Sequence, residues 1–326
     1  MDDKSTEIEK ILTEYSKADI SIAPTPLHKL KRLSSILGHN IYIKREDLTG
    51  FNIGGNKNRK LDYLIGDALS RNADTLITTA ASSFSRNTAA AGKVYGLDVH
   101  VIVAGGENDQ NRASQALFKQ LDANLYYTSK SKVDAVSTEY NRVLKDLKSQ
   151  GRHIYELHPG GSDNIGSLGY LDAFNEIVEF TKTTNIRFNK IFHPCGSTAT
   201  QAGLVLGNII SEYESEIIGI AVSQKSNIQI ERVHKLTQST ADMLNITYDK
   251  SNIIVDDRFL GPGYSISSQE GIDAAKLFAT TEGILLDDVY TAKAAAGLIY
   301  YAKNRLFNKN DNILFIHTGG NSGLFY

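Results

Sequence analysis

The chain predicts an α/β fold of open, twisted, mostly parallel sheets flanked by helices. Two observations carry this. Short β-rich runs alternate with longer stretches of helical period along most of the chain. Loops rich in Gly, Ser and Thr follow several of the β-rich runs, where ligands bind in sheets of this kind. At 326 residues the chain is long enough for one large unit or two intimately joined ones, and it can bury a core without disulfides.

Taken in order, Leu61, Leu64, Ile65, Ala68 and Leu69 follow an i, i+3, i+4, i+7, i+8 spacing and predict a helix with one apolar stripe. A buried strand is expected over 75–80, a helix over 85–95, a strand over 99–104 and a helix near 111–121. Val133, Val136, Tyr140, Val143, Leu144 and Leu147 line one face of a further helix. The run 153–157 reads as a strand ending in the turn His158-Pro159-Gly160-Gly161. In the second half strands are expected at 190–193, 217–222, 253–255 and 313–317. Helices near 165–181, 199–211, 267–281 and 291–306 separate them. This rhythm predicts one sheet from about 50 to 164 and a second from the remainder.

Composition excludes several classes. Lys and Arg number 35 against 37 Asp and Glu, for a net charge of −2, and no basic block suggests nucleic acid. The lone Cys195 cannot form an intrachain disulfide. Met1-Asp2-Asp3-Lys4 is not a secretory start, and no apolar run approaches the ~20 residues of a membrane span. A soluble cytoplasmic protein, away from membranes, is the expectation.

Three segments suggest chemistry. In Gly54-Gly55-Asn56-Lys57 two glycines permit a sharp turn before a lysine at a helix entry. Such a lysine forms a Schiff base if desolvation lowers its pKa; a turn followed by a solvated lysine, as expected for Lys60, is the plainer alternative. Cys195-Gly196-Ser197-Thr198-Ala199-Thr200 follows a strand and opens a helix, so it reads either as an anion cradle or as a close-packed helix start. It lacks the Gly-Lys-Ser/Thr of a nucleotide loop, and the chain has no GxGxxG, so a phosphorylated cofactor other than a nucleotide fits better. Ser82-Ser83-Phe84-Ser85 offers hydroxyls and helix-start amides to a carboxylate, or is a plain N-cap. Tyr264 and Tyr290 are candidates for stacking or proton donation. His158, His193 and His317 match no metal-ligand spacing, so supporting roles and no metal are expected.

The order of short blocks is more telling than any one. It runs Thr25-Pro26-Leu27, Ile43-Lys44-Arg45-Glu46-Asp47-Leu48, Gly54-Gly55-Asn56-Lys57-Asn58-Arg59-Lys60-Leu61 and Gly196 to Gly203. It continues through Gly261-Pro262-Gly263-Tyr264, Thr281 to Asp287, Val289-Tyr290-Thr291 and His317-Thr318-Gly319-Gly320. Over nearly the whole chain this resembles the fold type II pyridoxal-phosphate (PLP) enzymes, the tryptophan synthase β-like group. Within them it resembles the D-cysteine desulfhydrase and 1-aminocyclopropane-1-carboxylate (ACC) deaminase family.

The resemblance implies that residues 1–49 with 165–326 form a large PLP-binding domain and 50–164 a small one. Lys57 would hold PLP as a Schiff base, beside Asn56, with the phosphate at Gly196, Ser197, Thr198, Ala199 and Thr200. Tyr290 would stack on the pyridine ring and Thr318 would sit near its nitrogen. Tyr264 would stand near the substrate, and Ser82 would contact its carboxylate or relay a proton. Ser83 and Phe84 would line the substrate loop, where the family reads Ser-Asn. Thr291 and Thr318 stand where ACC deaminases carry Glu and Leu, which favours the desulfhydrase side. The implied function is β-elimination from a D-amino acid, foremost D-cysteine to pyruvate, sulfide and ammonia, by a homodimer. The alternatives are ACC deamination, elimination from another β-substituted amino acid, and a non-catalytic PLP or amino-acid binding module. Comparing turnover of several amino acids separates them.

Overall fold

The computed structural model describes residues 6–107, 112–128 and 133–320. Before the first catalytic candidate the chain forms α1 (Glu7–Leu12), β1 (Leu27–Lys29), α2 (Lys31–Leu37) and β2 (Asn40–Arg45). Then follow α3 (Asn56–Ser70), β3 (Thr75–Thr79), α4 (Ser83–Tyr95), β4 (Asp98–Val103), α5 (Arg112–Gln120), β5 (Asn124–Tyr127), α6 (Val133–Ser149) and β6 (Ile154–Glu156). The rest is α7 (Asn164–Thr184), β7 (Lys190–Cys195), α8 (Ala199–Ile210), β8 (Glu216–Ala221), α9 (Ser226–Leu244), β9 (Ile254–Asp256), α10 (Gln269–Glu282), α11 (Thr291–Lys303) and β10 (Asn312–His317).

Two sheets result, as the alternation predicts. Six strands run in the order β1-β2-β10-β7-β8-β9, and four in the order β5-β4-β3-β6. Every pair is parallel except β1 with β2. Parallel strands need covering on both faces, and the sequence complies: Ile313 to His317 and Ile191 to Cys195 are buried without interruption. Helices α8 and α7 pack Leu204, Leu206, Phe174 and Ile177 on one side of the large sheet; α10 and α11 pack Phe278, Leu298 and Ile299 on the other.

The connections place the site. In the large sheet β7, β8 and β9 proceed one way, while β10 lies on the other side of β7. In the small sheet β3, β4 and β5 proceed one way, while β6 lies on the other side of β3. Each sheet therefore has a switch point where neighbouring loops diverge and leave a crevice beyond the strand ends. The loops concerned are 196–198 and 318–320 in one sheet, and 80–82 and 157–163 in the other.

The expected helices and strands all occur, with Asn111 outside the described residues. The sequence reading named no element before residue 59 and missed β5 and α9. Among the described residues no helix is long and apolar enough to cross a membrane.

Candidate active site

The start of α3 is fixed by main-chain geometry rather than by a capping side chain. Gly54 and Gly55 have φ of 70° and 95°. A Cβ on Gly54 would lie 2.5 Å from the Asp47 carbonyl oxygen, and one on Gly55 3.2 Å from that of Thr318. Glycine is required at both, by φ and by space. The backbone thereby comes close enough for Asn56 N–H to donate to Thr318 O at 2.8 Å, which ties α3 to the end of β10. Lys57, one residue on, is aimed into the crevice.

The lysine ammonium stands 3.3 Å from Ser197 Oγ. Lys60, one turn later on the same face, reaches the same oxygen at 3.1 Å and the Gly160 carbonyl at 3.1 Å. Lys60 is not the solvated lysine expected of it: its side chain has no exposed surface. The 3-residue spacing on a helix was the signal that could have found it. Burial pushes the Lys57 amine down to about 8. Burial also holds Lys60 well below the ordinary lysine range, and the charge of Lys57 adds to the effect. Among the described residues neither amine has an ion-pair partner.

Around them is a cleft lined by Asn56, Lys57, Ser83, Pro194, Gly196, Ser197, Thr200, Tyr290, Thr318, Gly319 and Gly320. Asn56 Nδ2 donates to Thr200 Oγ1 at 3.2 Å, linking α3 to the first turn of α8. A Cβ on Gly196 would lie 3.4 Å from Cε1 of Tyr290, so the tyrosine ring closes one wall. Tyr290 and Tyr264 share a hydroxyl hydrogen bond of 2.6 Å. Burial and the neighbouring Tyr264 hold the Tyr290 phenol far above its usual range, so it stays protonated. Asp287 shapes the turn that presents it, accepting from the N–H groups of Val289, Tyr290 and Thr291 and from Thr291 Oγ1. Thr291, a position weighed for specificity, is thus buried in this cap, whereas Thr318 lines the cleft.

The remaining sequence candidates are divided. Ser82 is the N-cap of α4, its Oγ engaged with Ser85, and the cleft wall is Ser83 instead. Phe84, expected at the substrate loop, is corrected: it is fully buried in the apolar core under the small sheet, with Leu61 and Leu64. As the second residue of α4 it turns inward, and burying the ring outweighs any role at the cleft. Thr198 and Ala199 turn from the cleft too. Their N–H groups donate to Ser162 Oγ at 3.0 and 3.4 Å, and Thr198 borders a neighbouring groove with His158, Arg232 and Lys235.

The histidines support the frame. His317 Nδ1 accepts from Gly319 N–H at 3.3 Å while Nε2 meets the Leu285 carbonyl at 2.8 Å. That fixes a neutral tautomer beside the glycine pair. Burial lowers His193 to about 4. Cys195 is buried, accepts from Gln229 Nε2, and is pushed up to about 12 by desolvation, which leaves it an inert thiol.

The family described as pyridoxal-phosphate dependent enzyme matches residues 19–319. The chain belongs to that family. Its structure is similar to the crystal structure of an ACC deaminase homologue, with a TM-score of 0.88 and 33% identity over 98% of this chain and 96% of that one. It also matches the processed form of threonine deaminase isoform 2 from Solanum lycopersicum at a TM-score of 0.70. There the identity is 21% over 99% of this chain and 89% of that one, a likeness of fold alone.

The cleft fits the family's cofactor. PLP is a flat aldehyde with an anionic tail; the cleft offers an amine of lowered pKa, a second buried amine at Ser197 that an anion would favour in its charged form, an aromatic wall at Tyr290 and a neutral hydroxyl at Thr318.

Proposed function

We propose that the protein is a PLP-dependent β-elimination lyase acting on a D-amino acid, with D-cysteine as the leading substrate. Bound PLP supplies the electron sink for a carbanion at the substrate Cα. Lys57 would hold it, Asn56 and Thr318 would orient it, and the phosphate would sit at Gly196, Ser197 and Thr200, neutralising Lys60. The N–H groups of Thr198 and Ala199, which donate to Ser162 Oγ, would be further donors for a phosphate oxygen. The Lys57 amine, with a pKa of about 8, is suited to take the Cα proton near neutral pH. Ser82, Ser83 and the first amides of α4 would hold the substrate carboxylate. The protonated Tyr290, paired with Tyr264, would donate to the departing sulfur. In sum the C–H and C–S bonds of D-cysteine break, sulfide leaves, and one water converts the remaining enamine to pyruvate and ammonia.

The observation that carries this choice is the hydroxyl at the end of β10. Among the described residues that line the cleft none is a carboxylate, Asp287 lying behind Gly320, and Thr318 presents its hydroxyl there. A pyridine nitrogen there gains less stabilisation of its protonated form than a carboxylate would give, which suits loss of a good leaving group. ACC deamination is the second reading, favoured by the ACC deaminase homologue at 33% identity. The protein reconstituted with PLP should release pyruvate and sulfide from D-cysteine far faster than 2-oxobutanoate from ACC, and Lys57→Ala should abolish both. Faster turnover of ACC would establish the second reading. Cofactor binding without turnover of D-cysteine, D-serine, β-chloro-D-alanine or ACC would leave a binding module. Family members commonly pair, and a homodimer is the assembly we expect from solution mass.

A further inference from the structure

We propose that Lys293 is a positioning residue that sets Tyr264 over the cleft, acting through the main chain of the loop that carries it. The proposal rests on the reading of Tyr264 and Tyr290 as substrate-facing groups.

Lys293 lies in the first turn of α11, three residues after Tyr290, and its side chain has no exposed surface. Its ammonium donates to two main-chain carbonyls, Leu260 O at 2.8 Å and Gly263 O at 2.9 Å. These oxygens flank Gly261 and Pro262, and Tyr264 is the next residue. The loop has little else to hold its shape. Among the described residues its own backbone bonds are Leu260 N–H to Asp257 O at 3.2 Å and Ile266 N–H to Gly263 O at 3.4 Å. Gly261 and Ser265 have φ of 65° and 60°. Tyr264 is 53% exposed, so its ring is not held by core packing either.

A charged donor bonded to two carbonyls three residues apart closes this turn as a clasp. The same helix start carries Tyr290, so one turn of α11 fixes one tyrosine directly and the other through the ammonium. That explains how an exposed side chain is brought to the hydroxyl of half-buried Tyr290 at 2.6 Å. A methionine would keep the packing of the stem and lose both bonds; an arginine would keep the charge and can reach at least one carbonyl.

The test uses holoenzyme with Lys293→Met and Lys293→Arg, each with and without Tyr264→Phe. Lys293→Met should speed amide exchange in segment 259–266 by about tenfold and leave the central strands β7 and β10 unchanged. It should raise KM by about tenfold with a smaller change in kcat, and Lys293→Arg should recover most of both. In the Tyr264→Phe background Lys293→Met should have little further effect on KM. Unchanged exchange at 259–266, a rise spread over the whole chain, or multiplicative effects of the two substitutions would each overturn the role. Should Lys293→Met fail to fold, Lys293→Leu, which also carries no donor, is judged by the same outcomes. If no amino acid is turned over, the proposed function fails, and the exchange comparison still decides whether Lys293 holds the loop.

Discussion

Lys57 and Lys60 sit one turn apart and share a single hydroxyl, so the protein keeps two amines in a place where neither is well solvated. The folded-state pKa of Lys57, about 8, lies below its ordinary value of 10.5. In cofactor-free protein the penalty for the folded ammonium is therefore fully present below about pH 8. It is relieved as pH rises from about 8 to about 10.5, because over that window the unfolded chain binds the extra proton. Lys57→Met should then be more stable than the unsubstituted protein at pH 7, by about 1–3 kcal/mol. The difference should shrink toward zero by pH 10.5. Urea unfolding of the apo-proteins at several pH values reads this directly; parallel stability curves would show that Lys57 is ordinarily solvated. Such a penalty is what the proposed PLP site would incur before the cofactor binds.

Helix α3 carries both amines, and what holds it is an ionic cluster rather than a cap. Arg59 bonds Glu46 through Nε and Nη2, each at 3.0 Å, and reaches Glu176 on α7, where Lys44 also ends. Glu46 is fully buried, yet Arg59 and Lys44 hold its carboxyl down to about 2. Glu46→Gln leaves that cluster one negative charge short and should cost about 3 kcal/mol near neutral pH. The ordinary value is 4.5, so the stabilisation is present above about pH 4.5 and lost as pH falls toward 2. The gap between the two proteins in denaturant midpoints should accordingly narrow below pH 4.5; a gap independent of pH would mean the charge is not what matters. The cluster also shows where the sequence was legible. Apolar periodicity revealed α3 and α6, through stripes that include the buried Leu61, Leu64, Ile65 and Ala68 in one and Val143 and Leu147 in the other, and short β-rich runs revealed the central strands. It failed for α9, whose buried face includes Gln229, Thr237 and Thr240, and for β5, a four-residue edge strand only half buried. Lys57, Gly196, Ser197, Tyr290 and Thr318 were singled out through ordered motifs, and the fold brings them to one cleft. Lys60 and Phe84 were misread because which face of a helix is buried depends on partners distant in sequence.

Across the whole molecule, the site exists because two switch points face each other with α3 between them, and helix spacing sets the distance they span. Helix α7 is the spacer. A Cβ at Gly169 would lie 2.2 Å from the Arg59 carbonyl oxygen on α3, and one at Gly203 of α8 would lie 2.3 Å from the Ser167 carbonyl oxygen on α7. Those contacts let the helix bearing Lys57 and Lys60 and the helix behind the 196–200 turn approach α7 without side chains intervening. Gly169→Ala must push α3 away from α7, and the displaced backbone belongs to Arg59 and Lys60 themselves. Gly66→Ala is the matched comparison, since its Cβ would lie 2.2 Å from the Ser16 carbonyl oxygen, on the same helix but away from the cleft. Both should lower stability by about 1–3 kcal/mol, as overpacking does. Only Gly169→Ala should also weaken PLP binding, by about tenfold or more, because it separates the amines from Ser197. Cofactor titrations followed by absorbance, with melting curves on the same samples, give both quantities. Equal loss of PLP affinity in the two variants would mean that the cleft senses global stability rather than the α3–α7 spacing.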